Sequence, residues 1–390
     1  MRPVPPRRRI IVAGGGIGGL TAALGLARAG REVTLLERAG DFGAVGAGLQ
    51  ITPNGAAVLS ALGLGPALDA AGLRAAAVVP TDGLTGRPIA RFDLSGRDYR
   101  FLHRADLIDL LAEAVRREGV EIRHGTELVS AGADGHVSTA DGRDLQAGLV
   151  VGADGIRSTL RGLLRPGEAP FFTGQVAWRA VIDAPDQPAE ARIWMLPGRH
   201  VVTYPLPGGR LNIVAVREQG GWAPEGWDHP DDPDNLRSAF ADAAPELRGW
   251  LGRIGAVRLW GLFRHEVAPR WHDGARVLLG DAAHPTLPFL AQGANLAIED
   301  GWVLADCLAR EAGHEAALAR YQALRRPRVV RAIAAANANA RNYHLRGPAR
   351  RVAHLGLGLL GRVAPGRFLD RMDWLYGYDA TRDTGVAGRA

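Results

Sequence analysis

Residues 9–38, RIIVAGGGIGGLTAALGLARAGREVTLLER, decide the fold of this chain. The apolar run at 9–13 predicts a buried strand, the glycines at 14–19 a tight turn, and residues 20–29 a helix that ends at Gly30. A second apolar run at 33–36 predicts the next strand. Strand, helix and strand in this order form a βαβ unit, from which parallel sheets covered by helices are built.

The glycines of this turn also indicate a ligand. Gly14, Gly16 and Gly19 fit the pattern G-x-G-x-x-G, and Glu37 ends the second strand. Such glycines let a pyrophosphate approach a helix N-terminus closely, and the carboxylate can accept hydrogen bonds from both ribose hydroxyls. A purely structural glycine turn is the alternative. The strand before the turn and the helix after it favour a nucleotide site.

A second informative stretch is 276–300, RVLLGDAAHPTLPFLAQGANLAIED. Its apolar start predicts a short buried strand that ends at Gly280-Asp281, and Gln292 to Asn295 open an amphipathic helix. A carboxylate at a strand end can bind a polyol, and unpaired N–H groups at a helix start suit a group that is or becomes negative. An ordinary strand-loop-helix would explain the turn, but not Asp281, the prolines and the helix start together.

Composition limits the class of protein. The 390 residues are 47% hydrophobic and 23% charged, as in globular proteins, and a single cysteine, Cys307, excludes a disulfide within the chain and favours the cytoplasm. The net charge of +6 comes from scattered arginines without aromatic stacking motifs, so we expect no nucleic-acid partner. No apolar run reaches about eighteen residues, so we expect no membrane span. The N-terminal arginines and apolar run resemble an export signal, but the glycines fit the βαβ unit better.

The remaining chain alternates between two patterns. We predict helices at 54–72, at 106–118, at 235–254 and from 293 to about 360, and a hairpin within 126–146. The middle is rich in strands (174–182, 192–196, 200–206, 211–217 and 256–267), with a loop at 223–234, which predicts an inserted antiparallel sheet. Trp178 is predicted in the core, Arg179 at the surface, and His284 in a structural role.

Two further residues are weaker candidates. Asp154, in Ala153-Asp154-Gly155 after a buried strand, could meet a cofactor, although an Asp-Gly turn is common. Arg104 precedes the 106–118 helix and could face a pyrophosphate, and a solvated arginine is the alternative.

Taken together, the motifs resemble those of the single-component FAD-dependent aromatic hydroxylases, the salicylate and hydroxybenzoate hydroxylase group. The resemblance covers nearly the whole chain and is carried by GGGIGG (14–19), LLER (35–38), GAGLQITPNGAAVL (46–59), HRADLIDLL (103–111), GADGIRSTLR (152–161), GDAAHPTLPFLAQGANLAIED (280–300) and DWLYGYDA (373–380). It implies an α/β fold: a Rossmann-like FAD-binding domain (1–172, with 268–345 returning to it), an inserted antiparallel substrate domain (173–267) and a C-terminal helical segment (346–390).

The resemblance also implies roles for individual residues. Gly14, Gly16, Gly19, Glu37 and Arg38 would hold the adenosine diphosphate half of FAD, Arg104 and Asp154 would also serve the cofactor, Asp281 would hold the ribityl chain, and Gly293, Ala294 and Asn295 would lie beneath the flavin pyrimidine. His200 and Tyr204, on one face of a strand, would contact the aromatic substrate, with Gln292 at the flavin–substrate boundary. Many salicylate-type relatives carry a second histidine just before this Tyr-Pro, where Thr203 stands here. No metal site is expected.

The implied reaction is hydroxylation of a small hydroxybenzoate- or salicylate-like compound with NADH or NADPH and O2, through a flavin hydroperoxide. A tailoring oxygenase for a larger polycyclic or other natural product is the alternative. A nicotinamide-only dehydrogenase and a non-catalytic binding module are further hypotheses from other classes. A homodimer is compatible with the sequence, and the substrate, the hydroxylated position and any accompanying decarboxylation are left open.

Overall fold

The computed structural model describes residues 9–43, 47–221 and 229–383. The strands, in chain order, are β1 (Arg9–Ala13), β2 (Glu32–Leu36), β3 (Gly48–Ile51), β4 (Leu73–Arg74), β5 (Ala77–Asp82), β6 (Phe92–Asp93), β7 (Arg100–His103), β8 (Glu121–Arg123), β9 (Leu128–Ala131), β10 (His136–Thr139), β11 (Asp144–Gln146), β12 (Leu149–Gly152), β13 (Phe171–Asp183), β14 (Glu190–Leu196), β15 (Arg199–Leu206), β16 (Arg210–Glu218), β17 (His229–Asp231), β18 (Val257–Arg264), β19 (His272–Asp273) and β20 (Arg276–Leu278).

The helices, in chain order, are α1 (Ile17–Arg28), α2 (Pro53–Ala61), α3 (Gly65–Ala71), α4 (Arg104–Arg117), α5 (Thr159–Leu164), α6 (Pro233–Ala239), α7 (Pro245–Gly252), α8 (Gly293–Arg310), α9 (His314–Tyr343), α10 (Gly347–Val363), α11 (Pro365–Tyr376) and α12 (Ala380–Asp383). Two short 3-10 helices, Gly280–Ala282 and Pro288–Leu290, lie between β20 and α8.

The first layer is a six-stranded sheet in the order β19-β20-β12-β1-β2-β8, parallel except for β19. Its four central strands, β20, β12, β1 and β2, are short and mainly apolar because both faces of the sheet are covered there, as is usual for parallel sheets. The buried core includes Ile11, Leu24 and Val150. Because parallel strands end at one edge, the segments that follow β1, β2, β12 and β20 come together there.

The second layer is an eight-stranded sheet in the order β17-β18-β13-β16-β15-β14-β5-β6. Its strands are antiparallel except for the parallel pair of β14 and β5. One face packs on α6 and α7, where Trp178, Trp194 and Leu247 are buried in a second core. The other face is therefore left for the cavity described below.

The structure differs from the sequence predictions at several boundaries. The predicted helix 54–72 is two helices, because Gly63 has φ +64° and ends the first one. The predicted helical segment 235–254 is likewise divided, into α6 and α7, and Pro245 begins the second. Strands β5 and β6 belong to the large sheet, although the sequence division places residues 1–172 in the cofactor region. The first part of the predicted loop 223–234, up to residue 228, lies outside the described residues. Residues 1–8 and 384–390 also lie outside them.

The C-terminal region is helical, as predicted, and α10 lies on the surface of the protein. None of its residues is buried, and Val352, Leu355, Leu359 and Val363 are between 64% and 75% exposed. In the ranges that the structure describes, no helix is both long and apolar enough to cross a membrane.

Candidate active site

A cavity of about 470 Å³ lies between the carboxyl edge of the parallel sheet and the free face of the large antiparallel sheet. This is the usual place for a ligand in an α/β fold, and the volume lies in the usual range. Eleven of the residues proposed from the sequence line it: Gly14, Gly16, Glu37, Arg38, Arg104, Asp154, His200, Tyr204, Asp281, Gly293 and Ala294. Gly19, Gln292 and Asn295 are not among its lining residues.

The three glycines of the turn have different roles. Gly14 has φ +106°, and a Cβ there would lie 2.4 Å from the carbonyl oxygen of Ala153. A Cβ on Gly19 would lie 1.9 Å from the carbonyl oxygen of Gly14. Gly16, by contrast, has an ordinary φ of −73°, and a Cβ there would meet no atom within 4 Å. Gly14 and Gly19 thus close the turn, whereas Gly16 leaves open space at the start of α1.

Glu37 supports this turn directly. Its Oε2 accepts a hydrogen bond from the backbone N–H of Gly15 at 2.7 Å, and its Oε1 accepts one from Ala39 at 2.8 Å. The sequence predicts ribose binding at Glu37 but gave no indication that the carboxylate also braces the glycine turn. Each oxygen has a second lone pair for a ligand hydroxyl.

Asp154 and Asp281 follow β12 and β20 at the same edge. Asp154 Oδ2 accepts a hydrogen bond from the N–H of Thr159 at 2.8 Å, while its buried Oδ1 has no hydrogen-bond partner in the described part of the chain. The Asp281 carboxyl is open to the cavity but enclosed by protein, and this desolvation raises its pKa, against the opposing effects of His284 and Arg104. Burial also lowers the pKa of Arg104, and the charge of Asp281 opposes that shift.

The start of α8 is held by a network of amides. Gln292 is fully buried, and its amide accepts a hydrogen bond from Asn54 at 3.0 Å and donates one to Thr52 at 3.1 Å. Asn295 Oδ1 accepts from the N–H of Thr52 at 3.1 Å, and its amide nitrogen donates to Gln50 O and Ala291 O. The structure thus does not bring Gln292 to the cavity, because its amide forms hydrogen bonds with Asn54 in α2 and with Thr52 just before α2. We interpret both side chains as supports that present the N–H groups of Gly293 and Ala294 to the cavity.

His200 and Tyr204 lie on the cavity face of β15, together with Val202 between them. Burial, reinforced by His344, lowers the pKa of His200 well below its usual value, so the imidazole is neutral at neutral pH. Its Nδ1 lies 2.7 Å from His344 Nε2. Burial raises the pKa of Tyr204, against the charge of Arg179, and this hydroxyl therefore stays protonated and can donate.

Arg179 corrects a sequence prediction. We expected a surface residue, but its side chain lines the cavity, with the guanidinium 4.5 Å from the centroid of the Trp260 ring. Burial lowers the pKa of Arg179 to about 10, which leaves it charged at neutral pH. Strand alternation would have placed Arg179 opposite the buried Trp178. The missing information was the register, which aligns Arg179 with Val214 and Val214 with Val202 across the sheet.

The chain is similar to known proteins over nearly its whole length. The family model described as FAD binding domain matches residues 7–336. The chain is 38% identical to a 3-amino-4-hydroxybenzoate 2-monooxygenase of Streptomyces platensis, over 96% of this chain and 97% of the relative. It is 36% identical to the 3-hydroxybenzoate 6-hydroxylase 1 of Aquipseudomonas alcaligenes, over 94% of this chain and 97% of the relative. The chain belongs to the FAD-dependent flavoprotein monooxygenases related to hydroxybenzoate and salicylate hydroxylases.

The fold of this monooxygenase agrees with solved structures. HpxO of Klebsiella pneumoniae, complexed with FAD and uric acid, superposes with a TM-score of 0.81 at 25% sequence identity, over 93% of this chain and 95% of that one. The expectation of an α/β fold with a parallel FAD sheet, an antiparallel sheet and C-terminal helices is confirmed.

The residues of this monooxygenase fit FAD. The open space at Gly16 suits a pyrophosphate, and the cation of Arg104 faces the same cavity. The Oδ1 of Asp154, which has no partner among the residues that the structure describes, can accept a further hydrogen bond. The edge of the parallel sheet thus offers a cradle, a cation and acceptors along one cavity, which continues to His200 and Tyr204.

Proposed function

We propose that this monooxygenase hydroxylates a small phenolic acid of the hydroxybenzoate class, with O2 and with NADH or NADPH as reductant. One observation supports this most strongly: the cavity that begins at the glycine turn ends at a neutral histidine, a tyrosine and an arginine. These groups match the hydroxyl and the carboxylate of such an acid. The names of the Streptomyces and Aquipseudomonas relatives, both hydroxybenzoate hydroxylases, support the same class.

In this proposal the cofactor lies along the edge of the parallel sheet. Gly14, Gly16 and Gly19 shape the pyrophosphate cradle, and Glu37 and Arg38 hold the adenosine end. Arg104 and Asp154 contact the middle, and Asp281 binds the ribityl hydroxyls. The N–H groups of Gly293 and Ala294 face the flavin ring, and the side chain of Asn295 holds this helix start in place. When bound, FAD supplies the electron transfer and the oxygen activation of the reaction.

The substrate lies against the large sheet. The Arg179 guanidinium pairs with the carboxylate, and charge-assisted pairs of this kind are the strong hydrogen bonds of proteins. His200 accepts the phenolic proton, because its lowered pKa keeps the imidazole neutral and so leaves a nitrogen lone pair to accept it. Tyr204 donates to the phenolic oxygen and orients the ring. The apolar side chains of Val202, Val214 and Val216 exclude water from the reacting carbon.

The decisive experiment is a substrate screen on the purified, FAD-loaded protein. NADH and NADPH oxidation, peroxide formation and product mass are measured with 3-hydroxybenzoate, 3-amino-4-hydroxybenzoate and salicylate, and with phenol as the neutral control. We expect at least one acid to stimulate oxidation with little peroxide and to gain one oxygen atom. Failure of every small acid both to stimulate oxidation and to perturb the flavin spectrum would overturn the proposal and favour a larger natural product as substrate.

A further inference from the structure

Three titratable side chains form a continuous hydrogen-bonded chain from the cavity to the surface. His200 Nδ1 lies 2.7 Å from His344 Nε2, and His344 Nδ1 lies 3.1 Å from Glu218 Oε1. His200 lines the cavity and is 1% exposed, whereas the Glu218 side chain is 44% exposed. The chain therefore crosses the wall of the active site.

The carboxylate of Glu218, at the surface end of this chain, fixes the direction of both hydrogen bonds. An ionised carboxylate only accepts, so the nitrogen that faces Glu218, His344 Nδ1, carries the hydrogen. A neutral imidazole then has its lone pair at Nε2, which accepts from His200 Nδ1–H. The lone pair of His200 is thereby left on Nε2, for which no hydrogen-bond partner exists among the described residues. Glu218 thus fixes a basic nitrogen at the cavity end of the chain.

The surroundings keep this arrangement in the required charge state. The rings of Phe289 and Tyr343 pack against His200, with centroids 5.3 and 5.2 Å away, and burial raises the pKa of Tyr343, which stays neutral. Burial lowers the pKa of His344, although Glu218 opposes the shift. Arg346 donates to the second oxygen of Glu218 at 2.6 Å and helps lower the pKa of that carboxyl, which therefore stays ionised.

We propose that His200, His344 and Glu218 form a proton relay that carries the phenolic proton of the substrate to solvent. The proposal rests on the proposed function, because that function supplies the proton. The substrate O–H bond breaks as a bond to His200 Nε2 forms. The hydrogen on His200 Nδ1 passes to His344 Nε2, and that on His344 Nδ1 passes to Glu218 Oε1 and then to water.

The burial of His200 explains why a relay to the surface is useful. A proton held on His200 would create an imidazolium among the aromatic rings of a closed site, and the burial that lowers the pKa of His200 makes this charged form costly. Passing a proton on to the ionised, partly exposed Glu218, and from there to water, leaves both imidazoles neutral. When the phenolate is protonated again, the same transfers run backwards, so neither ring has to turn over between the two directions. His344 and Glu218 are therefore positioning residues that act through His200.

The ligand-free holoenzyme gives the first test. In ¹⁵N–¹H spectra of histidine-labelled protein at neutral pH, we expect both His200 and His344 as Nδ1–H tautomers, assigned by the loss of each signal in H200Q and H344Q. In the Glu218→Leu variant the preference of His344 for Nδ1–H should disappear. An Nε2–H tautomer at either histidine of the wild type would overturn the relay, whether or not the enzyme hydroxylates phenols.

The second test measures proton release in weakly buffered stopped flow, with 3-hydroxybenzoate as the probe and 3-methoxybenzoate as the analogue without an ionisable hydroxyl. We expect Glu218→Gln to slow release at least tenfold with an unchanged Kd for the probe. Glu246→Gln removes a matched, half-exposed carboxylate that accepts from Arg192, and it should leave release unchanged. The slow release of H344A should be rescued by free imidazole, which a purely structural role of His344 would not allow.

The outcomes separate the two proposals. If the wild type binds neither this probe nor the other acids of the screen, the proposed function fails, and the tautomers still decide the relay. If the wild type releases a proton and E218Q releases it equally fast, the relay fails while the proposed function stands.

Discussion

The sharpest prediction concerns two glycines of one motif that the structure assigns to different tasks. Gly16 has φ −73° and ψ 178°, which alanine adopts freely, and a Cβ there meets no protein atom within 4 Å. A Gly→Ala change at a compatible position stabilises by about 0.4–1 kcal/mol, and the poorer cap that alanine makes at a helix start offsets a few tenths or more of that gain. The ligand-free Gly16→Ala protein should thus unfold within about 1 kcal/mol of the wild type.

FAD binding should respond quite differently. The new methyl group occupies the space that we assign to the pyrophosphate, so one hydrogen bond to a charged group, or two, would be lost. Each is worth about 1.5–3 kcal/mol, which corresponds to an increase in Kd of roughly 10- to 150-fold for a single bond. In Gly19→Ala the Cβ lies 1.9 Å from the Gly14 carbonyl oxygen, and the backbone must shift at a cost of about 1–3 kcal/mol or more.

The assay is fluorescence titration of FAD with apoprotein, paired with urea unfolding of each apoprotein. Gly249→Ala is the matched control, because a Cβ there also meets nothing within 4 Å and the residue lies outside the cavity, on α7. It should leave FAD affinity unchanged. A stable Gly16→Ala protein that binds FAD within about twofold of the wild type would refute the assignment of the pyrophosphate to Gly16.

Three further predictions concern the side chains of Arg179, Asp300 and His200. In steady-state kinetics, Arg179→Gln should raise the KM for 3-hydroxybenzoate about 10- to 100-fold but leave the KM for neutral phenol unchanged. Arg192→Gln is the control, because the guanidinium of Arg192, like that of Arg179, lies 4.5 Å from a tryptophan ring centroid. Asp300→Asn should cost about 3–5 kcal/mol in urea unfolding, because Arg325 and His284 both bind this fully buried carboxylate at 2.6 Å; a loss below 1 kcal/mol would contradict this. Burial lowers the pKa of His200 from 6.5, so the folded protein binds a proton at this residue less readily than the unfolded chain does. The free energy of unfolding therefore falls as the pH drops below 6.5, by up to about 1.4 kcal/mol per pH unit from this residue. The H200Q variant should lose this dependence, and its free energy of unfolding should vary less between about pH 6.5 and 5.

The parts of the fold that were predictable from sequence depend on local signals. The βαβ unit could be read because strand, turn and helix are adjacent in the chain, and the glycine spacing marked the turn. The placement of His200 and Tyr204 on one face followed from strand alternation alone. Neither inference required a contact between distant segments.

What could not be predicted depends on such contacts. Strand β5 pairs in parallel with β14, so that residues 77–82 lie beside residues 190–195. No local sequence pattern predicts this pairing. His344 directly follows α9 and Glu218 ends β16, so both meet His200 only when α9 packs on the large sheet. Gln292 was misplaced for the opposite reason: its position in a motif suggested a ligand contact, whereas its buried amide binds Asn54 and Thr52.

Position 203 does not face the cavity in which we propose that the substrate binds. Thr203, where many salicylate-type relatives carry histidine, lies on the face of β15 opposite to His200, and its hydroxyl accepts a hydrogen bond from Trp194 Nε1 at 3.0 Å. A residue at 203 therefore reaches the core beneath α7 and not the cavity. The difference at this position cannot by itself decide which aromatic acid is bound. We predict instead that the row formed by Arg179, Val214 and Val202 on the cavity face contributes to that choice, because it places one cation among apolar side chains.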